Sequence, residues 1–282
     1  MKLIRWGAAG SEKPGLVDKD GVLRDLSGRI DDITPVMLSD DNLRHIAAID
    51  AKGLPKLPDG VRLGVPVSSI QKIVAIGLNY SDHAAEIGAA IPKEPIVFMK
   101  APSALNGPND EIVIPRGSVK TDWEVELGVV IGKRTSYVNE SEALSHVAGY
   151  CVVNDVSERE YQTERGGQWD KGKGCDTFAP VGPWLVTRDE VADPQNLDLW
   201  LELNGKRVQT GNTATMIFGV KKLVTYVSHF MTLVPGDIIT TGTPPGVGMG
   251  MKPQQFLKAG DSMRLSVEGL GEQRQTTRAW SP

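Results

Sequence analysis

Asp122-Trp123-Glu124-Val125-Glu126-Leu127-Gly128-Val129 is the stretch on which the reading of this chain turns. In an extended strand, successive side chains point to opposite faces. Asp122, Glu124 and Glu126 then share one face, and Trp123, Val125, Leu127 and Val129 the other. The apolar face is core. Taken by itself, the acidic face reads equally well as solvated. The next apolar run changes the balance: Tyr150-Cys151-Val152-Val153 leads into Asn154-Asp155, placing another carboxylate at a strand end. Carboxylates gathered together repel one another unless a cation or protons intervene. An all-oxygen set suits a hard ion, Mg2+, Mn2+ or Ca2+, and few protein ligands leave water positions that a substrate can take.

Outward from this stretch, strand signals dominate. Residues 70–76 read as a buried strand, and 111–115, 125–131, 149–153 and 184–186 are short β-type runs. Asp198-Leu199-Trp200-Leu201-Glu202-Leu203 alternates with period two, Asn204-Gly205 follows and 206–209 continues, which is a hairpin pattern. Asp20-Gly21 turns a second hairpin within 16–23. Helices are expected over 39–51, with Ser39 or Asp40 as N-cap, and over 140–148, 158–164 and 220–232. Strands and helices do not alternate regularly, so a Rossmann or TIM-barrel fold is not expected. The expected class is α+β: mostly β with peripheral helices. A Pro- and Gly-rich link over 53–66 separates a small lead-in domain, 1–69, from the main domain, 70–282.

Composition narrows the function classes. The 282 residues carry a formal charge of −4, and the sequence pI is near 5.7. A polyanion binder needs clustered Lys and Arg with interleaved aromatics, and only 6% of residues are aromatic. No nucleic-acid partner is therefore expected. No apolar run approaches the ~20 residues of a membrane helix, and the N-terminus lacks the apolar region of a signal peptide. The expectation is a cytoplasmic protein with no membrane partner. Cys151 and Cys175 are the only cysteines, too few for a disulfide framework. Two stretches imitate nucleotide loops. The run from Gly167 to Lys173 follows the phosphate-loop spacing, but Gly174 stands where Ser or Thr should hold magnesium. In Gly246-Val247-Gly248-Met249-Gly250 the third glycine comes one place early, and Pro253 interrupts what should be a helix.

Gly77-Leu78-Asn79-Tyr80-Ser81-Asp82-His83-Ala84-Ala85-Glu86 follows the buried strand. His83 and Glu86 share a face of one helical turn. The spacing suits a base oriented by a carboxylate, although taken alone it reads more readily as a surface His–Glu pair capping a short helix. His45, His146 and His229 read as structural.

Together these segments resemble the fumarylacetoacetate hydrolase family. The resemblance rests on 77–86, Glu124-Val125-Glu126, Asn154-Asp155-Val156-Ser157-Glu158-Arg159, Lys173-Gly174-Cys175-Asp176-Thr177-Phe178 and Thr241-Gly242-Thr243-Pro244-Pro245-Gly246-Val247-Gly248, in that order over about 70–280. The lead-in unit is similar to that of bacterial members that hydrolyse 2,4-diketo-3-deoxy sugar acids of the L-rhamnonate or L-fuconate type. The resemblance implies a mixed β-roll, a homodimer and a divalent metal, usually Mg2+. It implies Glu124, Glu126 and Asp155 as metal ligands, His83 and Glu86 as the pair that activates water, and Lys173 as a catalytic lysine near the metal-bound oxygens. Arg159, Gln162, Lys173 and Thr243 match substrate-binding positions. The implied reaction is hydrolysis of a C–C bond in a 2,4-dioxo acid, such as a 2,4-diketo-3-deoxy sugar acid or an acylpyruvate, giving pyruvate and a second acid. The alternative on the same site is decarboxylation of oxaloacetate, or a related 2-oxo acid decarboxylation or isomerisation. A binding protein that has lost catalysis is a further reading, disfavoured because every reactive residue type is present. Gly174-Cys175 departs from the Ser-Phe of many members. The polar stretch 158–174, with Gly166, Gly167, Gly172 and Gly174 as hinges, reads as a candidate lid.

Overall fold

Strand Val125–Ile131 is buried on both faces along its whole length, as is its partner Val147–Asn154. Central strands covered on both sides read as near-continuous apolar runs. The computed structural model describes residues 1–282. In it these two strands lie at the middle of a large mixed sheet. Its strands run in the order Leu23–Asp25, Lys13–Val17, Lys2–Trp6, Ala179–Thr187, Val147–Asn154, Val125–Ile131, Ile238–Thr240, Ile73–Gly77 and Ile96–Lys100. Pairing is antiparallel along this path except between Ile238–Thr240 and Ile73–Gly77.

A second sheet of five strands runs Lys206–Asn212, Asp198–Leu203, Ser262–Val267, Gly271–Ala279 and Ile112–Ile114. Its alternation is visible in the residues: Leu199, Leu201, Leu203, Met263, Leu265 and Val267 are buried, and Gln273, Gln275 and Thr277 continue the inward face. Asn204-Gly205 takes positive φ at both residues, the turn that the hairpin pattern requires. The inward amides meet the first sheet. Gln273 donates to the Val152 carbonyl, and Gln275 accepts from Asn154. Helices are short and peripheral. This is the mostly-β architecture with helices outside that the strand signals imply. No helix is long and apolar enough to cross a membrane.

The lead-in residues supply strands to the same sheet. Lys2 and Leu3 pair with Val186 and Leu185 of Ala179–Thr187, and one continuous core runs from Leu3, Leu26 and Leu38 to Ile73 and Val125. Helix Asp40–Ala47 begins at Ser39, whose side chain accepts from Asn42 N–H, as its N-cap position predicts.

Four expected elements differ, among them the helix expected over 39–51, which ends at Ala47. The helix expected over 140–148 ends at Ala143, a 3-10 turn follows, and Val147 onward is strand, because pairing of Val147 with Ile131 overrides local helix preference. The helix expected over 220–232 ends at Ser228. The stretch from Asp122 to Val129 is not one strand: Thr121–Asp122 pairs with Ser157–Glu158, and the long strand starts only at Val125.

Candidate active site

Antiparallel pairing builds the centre. Val125 lies opposite Asn154, and Asp155 N–H bonds to the Glu124 carbonyl at 2.9 Å. That register sets Asp155 beside Glu124, and Glu126 follows Glu124 on the same face. One oxygen from each of Glu124, Glu126 and Asp155 lies within 4.8 Å of the others, and all three residues are buried. The acidic face is therefore not solvated.

Buried charge is costly unless it is paired. Lys173 Nζ is 2.7 Å from both Glu124 Oε2 and Asp155 Oδ2. Arg159 Nη2 lies 2.6 Å from Glu124 Oε1, and its Nε lies 2.8 Å from Asp122 Oδ2. Burial alone would raise the Glu124 carboxyl, but the Lys173 and Arg159 charges outweigh it and hold it at about 2. Lys100 Nζ lies 2.6 Å from Asp155 Oδ1. The same ammonium donates to the Val156 and Lys173 carbonyls.

Glu126 has no cationic partner of its own. It accepts from Thr240 Oγ1 and, at 2.8 Å, from Gly242 N–H. Burial, with Asp155 and Glu124 nearby, pushes its carboxyl well above the ordinary range. Three buried carboxylates gathered together, one of them without a cationic partner of its own, are what a hard cation would satisfy, and the donors are all oxygen. Glu124, Glu126 and Asp155 fit such an ion.

His83 stands on the helix Ser81–Glu86. Its Nδ1 is 2.9 Å from Glu86 Oε2, and Glu86 Oε1 accepts Gly246 N–H at 3.0 Å. An ionised carboxylate only accepts, so Nδ1 is the nitrogen that donates to Glu86, which leaves Nε2 as the ring nitrogen free of that contact. Asn79, in the same segment, donates to the Thr241 and Phe218 carbonyls. Loop 241–250 thus touches three of the site's acids: Gly242 holds Glu126, Gly246 holds Glu86, and Gly248 and Met249 N–H groups hold Asp122.

Arg159 and Gln162 are both buried in this network, with Arg159 Nη1 donating to Gln162 Oε1 at 3.1 Å. Thr243 lies beside it, but its hydroxyl donates its one proton to the Val125 carbonyl at 2.9 Å. Asp122 stands apart from the metal-type triad and anchors the loop instead. Within 158–174 the glycines differ in their surroundings. A Cβ on Gly172 would lie 2.3 Å from the Glu158 carbonyl, so this glycine serves close packing. Residues 163–168, with Asp170 and Lys171, are exposed.

Lys100, Gln209 and Asp122 in its anchoring role escape the sequence reading. For Lys100 a signal exists: it shares a strand face with the buried Phe98.

The sequence over residues 72–278 matches the family model described as fumarylacetoacetate (FAA) hydrolase C-terminal. A Burkholderia lata protein named "Putative hydrolase" is 63% identical over 279 residues, covering 99% of each chain. The structure of the fumarylacetoacetate hydrolase from psychrophilic Exiguobacterium antarcticum superposes with a TM-score of 0.86 at 34% identity, over 99% of this chain and 100% of that one. The structure of maleylpyruvate hydrolase from Sphingobium sp. SYK-6, in complex with manganese(II) ion and pyruvate, does so with a TM-score of 0.83 at 30% identity, over 100% of both chains.

Proposed function

The chain belongs to the fumarylacetoacetate hydrolase family, and from that premise we propose that it hydrolyses the C3–C4 bond of a 2,4-dioxo acid, releasing pyruvate and a second acid. The substrate class is the acylpyruvates and 2,4-diketo-3-deoxy sugar acids, and the ion is Mg2+ with Mn2+ as substitute. The observation that carries the reading is a convergence. One loop, 241–250, hydrogen-bonds both to the carboxylate centre with its ammonium groups and to the His83–Glu86 pair. The manganese and pyruvate held by the Sphingobium relative support it.

Bound by Glu124, Glu126 and Asp155, a divalent ion supplies Lewis-acid polarisation of the substrate oxygens. His83 Nε2 takes a proton from water while Glu86 holds the ring in the required tautomer. The hydroxide adds to C4. The C3–C4 bond breaks, and its electron pair passes to the C2 oxygen as the enolate of pyruvate. The Lys173 ammonium, itself buried, stabilises that charge. A proton delivered to C3 completes pyruvate, and the C4 fragment leaves as its carboxylate. Arg159, Gln162 and the main chain around Thr243 hold the polar ends of the substrate.

Pyruvate release is measured from a panel of acylpyruvates, 2,4-diketo-3-deoxy sugar acids and oxaloacetate, with Mg2+ and with excess chelator. Metal-dependent release from a diketone, together with its second acid, is the expected result. His83→Ala should lower kcat by about 100-fold or more while leaving Mn2+ affinity intact. Release from oxaloacetate alone, unaffected by His83→Ala, would replace hydrolysis with decarboxylation.

A further inference from the structure

Gln209 is an amide only 1% exposed, on the strand Lys206–Asn212 of the second sheet, and the reaction above gives it no part. Its strand carries a bulge: Leu201 faces Gln209 and Glu202 faces Arg207, so Val208 is the extra residue. Bulges re-aim the side chains beside them. Here Gln209 turns inward while Arg207 and Thr210 stay exposed.

Its oxygen accepts Val125 N–H at 3.0 Å, and its nitrogen donates to Thr243 Oγ1 at 2.8 Å and to the Pro244 carbonyl at 2.9 Å. Both N–H donors and the carbonyl are thus engaged. Val125 is the residue between Glu124 and Glu126. At that end of its strand the neighbour Ile238–Thr240 no longer reaches, since it pairs only from Gly128 to Val130. The side chains of Gln209 and Thr243 stand in for the missing ladder, bonding Val125 N–H and carbonyl respectively. The backbones meet as well. A Cβ on Gly211 would lie 2.4 Å from Pro244 Cβ, and one on Gly246, which has φ +104°, would lie 1.9 Å from the Val208 carbonyl oxygen. The bulged strand therefore backs the loop that holds Glu126 and Glu86.

We propose that Gln209 is a positioning residue. From the second sheet it sets the placement of Glu124 and Glu126 around Val125 and of loop 241–250 against them. The proposal rests on the metal site proposed above. It is tested with Gln209→Met, which removes every hydrogen bond, and Gln209→Glu, which keeps an acceptor for Val125 N–H but loses both donors to the loop.

Mn2+ affinity by calorimetry, and kcat and KM, are measured well below each variant's Tm. Gln209→Met should weaken Mn2+ binding about 10-fold or more, as loss of a residue supporting metal ligands does. Gln209→Glu should keep Mn2+ affinity within about 3-fold of wild type and lower kcat/KM about 10-fold, chiefly through KM. A folded Gln209→Met with wild-type Mn2+ affinity, kcat and KM, whatever its Tm, overturns the proposal. Should Gln209→Met fail to fold, wild-type KM and kcat in Gln209→Glu overturn it. If the wild-type chain binds Mn2+ but turns over no substrate in the panel, the proposed reaction falls, and the Mn2+ affinities still decide Gln209. A wild-type chain that binds no Mn2+ overturns both.

Discussion

Lys100 ends the strand Ile96–Lys100 with a fully buried ammonium, 2.6 Å from Asp155 Oδ1 and hydrogen-bonded to the Val156 and Lys173 carbonyls. Burial pushes its pKa down, and the Asp155 charge works against that. Removing one partner of a buried pair leaves the other uncompensated and costs about 3–5 kcal/mol. Asp155 keeps Lys173 at 2.7 Å, so Lys100→Met should lose less than that figure in chelator. Mn2+ should restore part of it, because the ion supplies positive charge to the same carboxylate. The measurement is Tm with and without Mn2+, and the expected outcome is a larger Mn2+ upshift in Lys100→Met than in wild type. Equal upshifts would show that Lys100 and the ion do not share Asp155. The acids at this centre were legible because residues two apart on a strand must share a face. The lysine was not, since a strand-ending lysine ordinarily reaches solvent and its burial depends on where Asp155 arrives from another strand.

Among the elements, helix Asp40–Ala47 shows how the lead-in residues are tied to the catalytic sheet. Asp40, in its first turn, lies 2.7 Å from both Lys133 and Arg188. Lys133 follows the strand Val125–Ile131, and Arg188 follows Ala179–Thr187. The hydrogen bond from Lys133 comes first and that from Arg188 adds to it, holding the Asp40 carboxyl below its ordinary 3.8. A carboxylate with a lowered native pKa stabilises fully above its unfolded value, and that contribution is lost as pH falls through the native one. Asp40→Asn should therefore be less stable than wild type near neutrality, by about 0.5–1 kcal/mol for a half-exposed pair. The gap should close as pH drops below 3.8. Thermal melts across that range test it, and a gap that persists at the acid end would assign the effect to something other than the charge. The same element level explains what was misread. The hairpin of Asp198–Leu203 and Lys206–Asn212 was legible because its period and its Asn-Gly turn agree. Residues 140–148 were not, because Ala143, Leu144 and Ala148 favour helix locally while strand pairing at Val147 decides the outcome.

Across the whole molecule, two sheets and a run of loops gather carboxylates and ammonium groups, loop 241–250 ties the His83–Glu86 pair to them, and stability and site pull in opposite directions there. Glu124 and Asp155 have cationic partners, whereas Glu126 has only the Thr240 hydroxyl and Gly242 N–H, in the field of the other two acids. Without an ion it is the acid that a neutral amide would relieve. Glu126→Gln should therefore leave the metal-free Tm equal to or above that of wild type, since an acid held in that surrounding is a cost the fold bears for its site. The ion's own contribution then becomes readable. A ligand that binds only the native state stabilises it by about 2.7 kcal/mol at a hundred times its dissociation constant. For a chain of this size that corresponds to an upshift of roughly 5–10 °C. Wild type should show this shift with Mn2+ and lose it in chelator, while Glu126→Gln should show little or none. A wild-type shift that survives intact in Glu126→Gln would place the ion elsewhere on the molecule. A metal-free Glu126→Gln melting well below wild type would mean that the Glu126 charge is already compensated within the fold, and the argument from its lone position would fail.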